Sequence, residues 1–73
     1  MGDSSNSVAM LLKQARSESG LSQVSLAEAS GVPQPNISDY ESGRRSPTVR
    51  TMMAIIDACG MRLRLEPLEG KPK

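Results

Sequence analysis

The sequence predicts an all-α domain, a compact bundle of four short helices, followed by one C-terminal β-strand. Apolar residues recur at helical spacing in four successive segments, and glycines separate these segments. The segment 61–66 then alternates strictly between apolar and charged residues, as a half-buried strand does. With 73 residues, 37% of them hydrophobic, the chain supports only one small core. We therefore predict a flexible tail (1–6), a helical domain (7–60), the strand, and a second flexible tail (67–73).

The first two predicted helices are defined by their ends. Helix 1 begins at a cap on Asn6 or Ser7 and stops at Gly20. Helix 2 begins with Ser22 as its N-cap, and Gly31 is its left-handed stop. The inward face of helix 1 is formed by residues three and four positions apart: Val8, Leu11, Leu12 and Ala15.

The third and fourth predicted helices follow the turn 31–33. Helix 3 spans residues 34–42 and is closed by a glycine. Helix 4 opens with Ser46 as the capping residue and Pro47 at its first position, and it stops at Gly60. Its apolar stripe contains Val49, Met52, Met53 and Ile56.

Composition argues against several functional classes. With one cysteine and no histidine, the chain lacks the residues for an intrachain disulfide, a zinc finger or histidine-based catalysis. No nucleophile–base pair, metal-ligand cluster or phosphate-binding loop is visible, so we expect no enzyme and no cofactor. The longest apolar runs, 8–12 and 52–56, are far shorter than the ~20 residues of a membrane span. Because the N-terminus is polar and lacks a signal-peptide pattern, we expect a cytoplasmic protein with no membrane partner.

The two central helices have the arrangement of a helix-turn-helix. The second of them is short and polar on its outer face, and a basic loop follows it. The N-terminal end of such a helix fits the major groove of DNA. Tyr40 is the only aromatic residue, which argues against stacking on single-stranded nucleic acid. Because the net charge is only +1, any contact with DNA must come from the placement of charge.

A series of short motifs runs without a gap over roughly residues 8–60. These are Leu21-Ser22-Gln23, Leu26-Ala27, Ser30-Gly31-Val32, Asn36-Ile37-Ser38, Tyr40-Glu41-Ser42-Gly43 and Ser46-Pro47-Thr48. In this order and spacing they resemble the Cro/cI (XRE-type) family of helix-turn-helix repressors. The resemblance implies a compact, lambda-repressor-like fold that binds double-stranded DNA, is usually dimeric, and regulates transcription.

The resemblance assigns base contacts to the helix at 34–42. Gln34 matches the first base-reading position, where a carboxamide can bond adenine at N6 and N7. Pro35 either contacts a thymine methyl or only starts the helix. Asn36 and Ser38 touch either a base edge or a phosphate. Asp39 either accepts a hydrogen bond from cytosine N4 or pairs locally with the arginines of the next loop.

Phosphate contacts are assigned to residues around that helix. Gln23 matches a glutamine that family members use against a phosphate, and its alternative role is to support the cap of helix 2. Arg44 and Arg45 lie in the loop where the family contacts the DNA backbone, and a solvated charge pair is the alternative. Thr48, at the start of helix 4, is a further phosphate candidate.

Other residues are predicted to be structural. Arg16 and Glu41 match positions that pair across helices 1 and 3 in some family members, so we expect a partly buried ion pair. Further residues are expected in the hydrophobic core: Tyr40, the neighbouring Met52 and Met53, and Cys59.

The lone strand leaves its backbone N–H and C=O groups without partners in this chain. Its simplest partner is the same segment of a second copy, paired antiparallel. The interface residues Met61, Leu63 and Leu65 would then pack on the helices, while Arg62 and Arg64 point outward. Such a homodimer presents two recognition helices to a two-fold operator. The rival is pairing with a strand of a different protein.

These observations predict a sequence-specific regulator that binds double-stranded DNA, a homodimeric repressor reading the major groove with helix 34–42. The alternative is an antitoxin, because small family members that end in an extra strand resemble antitoxins, which bind a toxin protein and repress their own operon. A third hypothesis is an interaction adaptor that has lost DNA binding. Only Asp39 and the nearly neutral charge favour it.

Overall fold

The computed structural model describes residues 4–64, which contain four helices. In chain order these are α1 (Ser4–Ser19), α2 (Gln23–Ser30), α3 (Gln34–Ser42) and α4 (Val49–Ala58). Helices α1 and α2 each pack against both α3 and α4. The predicted four-helix, all-α fold is confirmed for this part of the chain. Leu65 and Glu66 of the predicted strand, the tail 67–73 and residues 1–3 lie outside it.

The two central helices begin and end where the sequence predicts. Ser22 caps α2, because its Oγ accepts the backbone N–H of Ser25 at 3.0 Å. Gly31 ends α2 in the left-handed conformation, with φ of 79°. Helix α3 begins after Pro33 without a side-chain cap, and Pro35 in its first turn removes one backbone donor that would need a partner.

The predicted starts of α1 and α4 are wrong. Asn6 and Ser7 lie inside α1, which begins at Ser4, because extending a helix past its apolar stripe costs little once the helix is nucleated. Helix α4 is capped by Thr48 instead of Ser46, since the Thr48 Oγ1 accepts the N–H of Thr51 at 3.1 Å. Serine and threonine are both good N-caps, so packing of the following helix decides between them.

The core lies between the four helices. Its buried members are Leu12, Ala15, Leu26, Ile37, Tyr40, Ile55, Ile56 and Cys59. The core positions of Tyr40 and Cys59 are therefore confirmed. Leu11, Val49 and Met53 were expected to face inward, but these residues are 41%, 65% and 46% exposed. The buried face of α4 is centred on Ile55 and Ile56, which turns Val49 and Met53 toward solvent.

The chain leaves α4 through a tight turn at Gly60, where φ is 77°. The Gly60 N–H donates to the Asp57 carbonyl at 2.9 Å, and the Met61 N–H donates to the Ile56 carbonyl at 3.1 Å. Beyond the turn, Met61 and Leu63 pack half-buried against the core, while the two arginines of this segment are exposed. The predicted alternation therefore holds over 61–64. These four residues form no strand within the described chain, and pairing of the strand stays a prediction.

Within residues 4–64, every helix is too short or too polar to span a membrane. No group of three or more histidine, cysteine, aspartate or glutamate side chains there is placed to hold a metal ion.

Candidate nucleic-acid interface

An ion pair beneath the helix-turn-helix joins α1 to α3. The Arg16 Nε donates to Glu41 Oε2 at 2.7 Å, and the Arg16 Nη2 donates to Oε1 at 3.0 Å. The Arg16 Nη1 also donates to the carbonyl of Leu21, just before α2. The side chains of Arg16 and Glu41 are only 22% and 4% exposed. This bidentate pair, together with the bond to Leu21, fixes the positions of α1, the start of α2 and α3 relative to one another.

The surroundings keep both groups charged. Burial alone raises the pKa of Glu41, but hydrogen bonds from Arg16 and Gln23 and the positive charges of Arg16 and Lys13 outweigh it. The pKa of Glu41 therefore lies below its ordinary value. The hydrogen bond to Glu41 likewise raises the pKa of Arg16 above its ordinary value. Glu41 is thus a carboxylate, which only accepts hydrogen bonds.

A chain of hydrogen bonds runs from this carboxylate to the first residue of α3. The Gln23 Nε2 donates to Glu41 Oε1 at 3.1 Å. The Gln34 Nε2 in turn donates to Gln23 Oε1 at 2.8 Å. Because Glu41 can only accept, it orients the amide of Gln23 so that its oxygen faces Gln34. The side chain of Gln34 is therefore held at one end, and its oxygen and second amide hydrogen stay available.

The sequence did not predict the link between Gln23 and Gln34. The two residues are eleven positions apart on different helices, and no spacing rule relates them. Gln23 is not itself the cap of α2, because Ser22 is, and its side chain bonds to Glu41 and Gln34. Gln23 instead lies between the ion pair and the recognition helix.

The other predicted base-contacting residues of α3 do not share one side of the helix, because Asn36 lies across the helix from Gln34, next to buried Tyr40. Pro35 is exposed, while Asn36 and Ser38 are half-buried. Within residues 4–64, neither Asn36 nor Ser38 makes a side-chain hydrogen bond. Ile37 and Tyr40 occupy the opposite, buried face of the helix. The structure thus brings Pro35 and Ser38 to the side of α3 that begins with Gln34.

Asp39 lies next to the basic loop. Its Oδ1 is 3.6 Å from Arg44 Nη1, and its Oδ2 is 3.8 Å from Arg45 Nε. These distances are too long for strong hydrogen bonds, and both arginine side chains are mostly exposed. Asp39 therefore has the local arrangement that the sequence offered as one alternative. The arginines stay free to turn toward another anion at little cost.

The hydroxyl of Thr48, the N-cap of α4, already makes hydrogen bonds to the first turn of that helix. Its Oγ1 accepts the Thr51 N–H and donates to the Thr51 Oγ1 at 3.0 Å. A phosphate contact from this hydroxyl would have to replace one of these hydrogen bonds.

The comparison with protein families identifies the family to which this chain belongs. The sequence model of the family described as "Helix-turn-helix" matches residues 12–65, which is more than half of the chain. The chain belongs to this helix-turn-helix family. The resemblance to Cro/cI (XRE-type) proteins is thereby confirmed, and the protein is a DNA-binding transcriptional regulator that binds double-stranded DNA. Comparisons with curated proteins and with solved structures gave no match.

Proposed function

We propose that this regulator is a homodimeric repressor that recognises a two-fold operator by inserting α3 into the major groove. The observation that carries the proposal is the hydrogen-bond chain from Glu41 through Gln23 to Gln34. A side chain held in place before DNA arrives loses less conformational entropy on binding. It also presents one pattern of donors and acceptors, which is what discrimination between bases requires.

In this proposal, Gln34 reads an adenine. Adenine presents the N6 amino group as a donor and N7 as an acceptor in the major groove. The free oxygen and second amide hydrogen of Gln34 match this pair, while its first amide hydrogen stays bound to Gln23. Four further residues form the surrounding base-contact surface: Pro35, Asn36, Ser38 and Asp39.

The phosphate contacts of the proposal come from both sides of α3. Arg44 and Arg45 lie just after the helix with exposed guanidinium groups. Gln23 has a second amide hydrogen beyond the one donated to Glu41, and Thr48 offers its hydroxyl. Phosphate contacts fix the position of α3 in the groove, and the base contacts then select the sequence.

Replacing Gln34 by alanine is expected to weaken binding to the operator by about 1–3 kcal/mol and to relax the preference at one base pair. The operator would first be selected from a pool of random duplexes, and binding measured by fluorescence anisotropy with competitor DNA. Gln14→Ala is the matched control, because Gln14 is exposed on α1 and its side chain donates a hydrogen bond to Glu18 on the same helix. Equal losses on all sequences would show that Gln34 does not read a base.

Replacing Arg44 and Arg45 together by alanine is expected to weaken binding to every sequence. The slope of log K against log[salt] should become shallower by about 1–2, since each phosphate contact contributes about 0.9. The double variant Lys71→Ala/Lys73→Ala removes the same charge from the predicted tail 67–73 and serves as the control. An unchanged slope in the Arg44/Arg45 variant would contradict the phosphate role.

The proposed dimer uses the segment after α4. Met61 and Leu63 pack against the core, so the segment is anchored to its own helices. Within the described chain, the backbone groups of residues 62–64 make no backbone hydrogen bonds, which leaves an edge open for pairing. We propose antiparallel pairing with the same segment of a second copy, with Met61, Leu63 and Leu65 beneath the paired strands.

The same open edge supports a second candidate function, that of an antitoxin. A strand of a toxin protein would pair with residues 62–64 by backbone hydrogen bonds. Purification from the native cell distinguishes the two candidates. A stoichiometric second protein favours the antitoxin, and a homodimer alone favours the repressor. Weak DNA binding that any competitor abolishes would contradict the repressor and favour an adaptor or a protein that depends on a partner.

A further inference from the structure

One side of α4 faces solvent with both apolar and charged residues. This α4 face consists of Val49, Arg50, Met53 and Asp57, all exposed. At 100° per residue the four positions fall within an arc of roughly 100°, away from buried Ile55. Val49 and Met53 are one helical turn apart on this face, so two neighbouring apolar residues, 65% and 46% exposed, lie beside the two charges.

The two charges on the α4 face have no partner within residues 4–64. Neither Arg50 nor Asp57 belongs to an ion pair there. The residues three and four positions away from each are all uncharged, so neither charge can form a pair along the helix. Arg50 and Asp57 are seven residues apart, which places them on the same flank of α4, beside Met53.

We infer that the α4 face is an interface between two copies of this chain, with α4 packed antiparallel on α4 of the partner. A two-fold axis between Met53 and Ala54 places positions 50 and 57 at equal distances on either side. Arg50 of each copy then lies opposite Asp57 of the partner subunit, on the same flank of the helix pair. The inference rests on the proposed homodimer, to which it adds a helix contact beside the strand contact.

The pattern of charge selects both the partner and the direction of packing. A second copy supplies the complementary charges, because the same face carries one positive and one negative group. Parallel packing would place the Arg50–Asp57 flanks of the two helices on opposite sides of the pair, which leaves neither charge opposite a complementary one. In the antiparallel arrangement the two Met53 side chains meet near the axis, and methionine adapts readily to such contacts.

A charge-swap experiment tests the interface. The dissociation constant of the dimer would be measured by sedimentation equilibrium for R50E, for D57R and for R50E/D57R. Each single variant is expected to weaken the dimer by about ten-fold, because two attractive contacts become repulsive. The double variant restores opposite charges and should return to within about three-fold of the wild-type value. Glu28→Arg, a charge reversal on an exposed residue of α2, is the control.

The outcomes separate this inference from the proposed function. If both single variants dimerise as tightly as the wild type, the α4 interface is wrong, whereas a dimer held by the strand still stands. If the single variants weaken the dimer and the double variant does not recover, the Arg50–Asp57 pairing is wrong. A monomeric wild type would overturn this interface and the proposed homodimer together. Since both residues are exposed, the far-ultraviolet circular dichroism spectra of the variants at 25 °C should match that of the wild type, which shows that the helices are intact.

Discussion

Replacing Glu41 by alanine is expected to lower the free energy of unfolding by about 3 kcal/mol. Removing one partner of a buried ion pair leaves the other charge without compensation, which costs about 3–5 kcal/mol. We expect the lower end because Arg16 retains some exposure and its hydrogen bond to Leu21. For a domain with a total stability of about 5–10 kcal/mol, this loss is large. Urea denaturation followed by circular dichroism measures it directly.

Two further variants show whether the charge or the contact is responsible. Glu41→Gln keeps an oxygen that accepts a hydrogen bond but removes the negative charge, so its loss should be intermediate. Glu18→Ala removes an exposed carboxylate on α1 and should change stability by less than about 0.5 kcal/mol. A loss below about 1 kcal/mol in Glu41→Ala would show that the ion pair does not hold α1 to α3.

Lowering the pH is expected to remove from the wild type the stabilisation that the Arg16–Glu41 ion pair provides. The pKa of Glu41 is lower in the folded state than its ordinary value of 4.5, so the folded state favours the ionised form. The contribution of Glu41 to stability is therefore complete above the pKa that this residue has in the unfolded chain. It is lost as the pH falls through the lower pKa that Glu41 has in the folded protein. Below pH 4.5, the wild type should lose its advantage over Glu41→Gln. A difference that stays constant from pH 7 to pH 3 would contradict this.

Truncation after Gly60 is expected to have the largest effect on DNA binding. It removes the proposed pairing strand and leaves only the proposed α4 contact, so the dimer is weakened until, at low protein concentration, each half-site must be bound separately. Loss of bivalent binding lowers apparent affinity by about 10²–10⁴-fold. The truncation also exposes the part of the core that Met61 and Leu63 cover, so stability should fall as well.

A second truncation provides the control. Ending the chain after residue 66 keeps the whole predicted strand and removes only the predicted tail 67–73, so it should dimerise like the wild type. Analytical ultracentrifugation gives the oligomeric state, and fluorescence anisotropy on the selected operator gives the affinity. A chain truncated after Gly60 that still dimerises at the same concentration would rule out strand pairing.

The central helices were predictable because their ends depend on local chemistry. The Ser22 cap and the Gly31 stop act within a few residues of the chain, and both are where the sequence placed them. The start of α4 was not predictable in this way. Ser46 and Thr48 are both suitable caps, and the structure uses Thr48. The expected apolar stripe accordingly missed Ile55 and wrongly included Val49.

The sequence by itself determined the class of the protein, because the helix-turn-helix signals are local and follow one another in order. It also identified Gln34 as the first residue of the recognition helix. Only the tertiary structure decided how Gln34 is held. That arrangement depends on contacts between residues 25, 18 and 11 positions apart on three helices, from Arg16 through Glu41 and Gln23 to Gln34. Packing of the helices brings these side chains within hydrogen-bond distance, and no periodicity in the sequence predicts which of them meet.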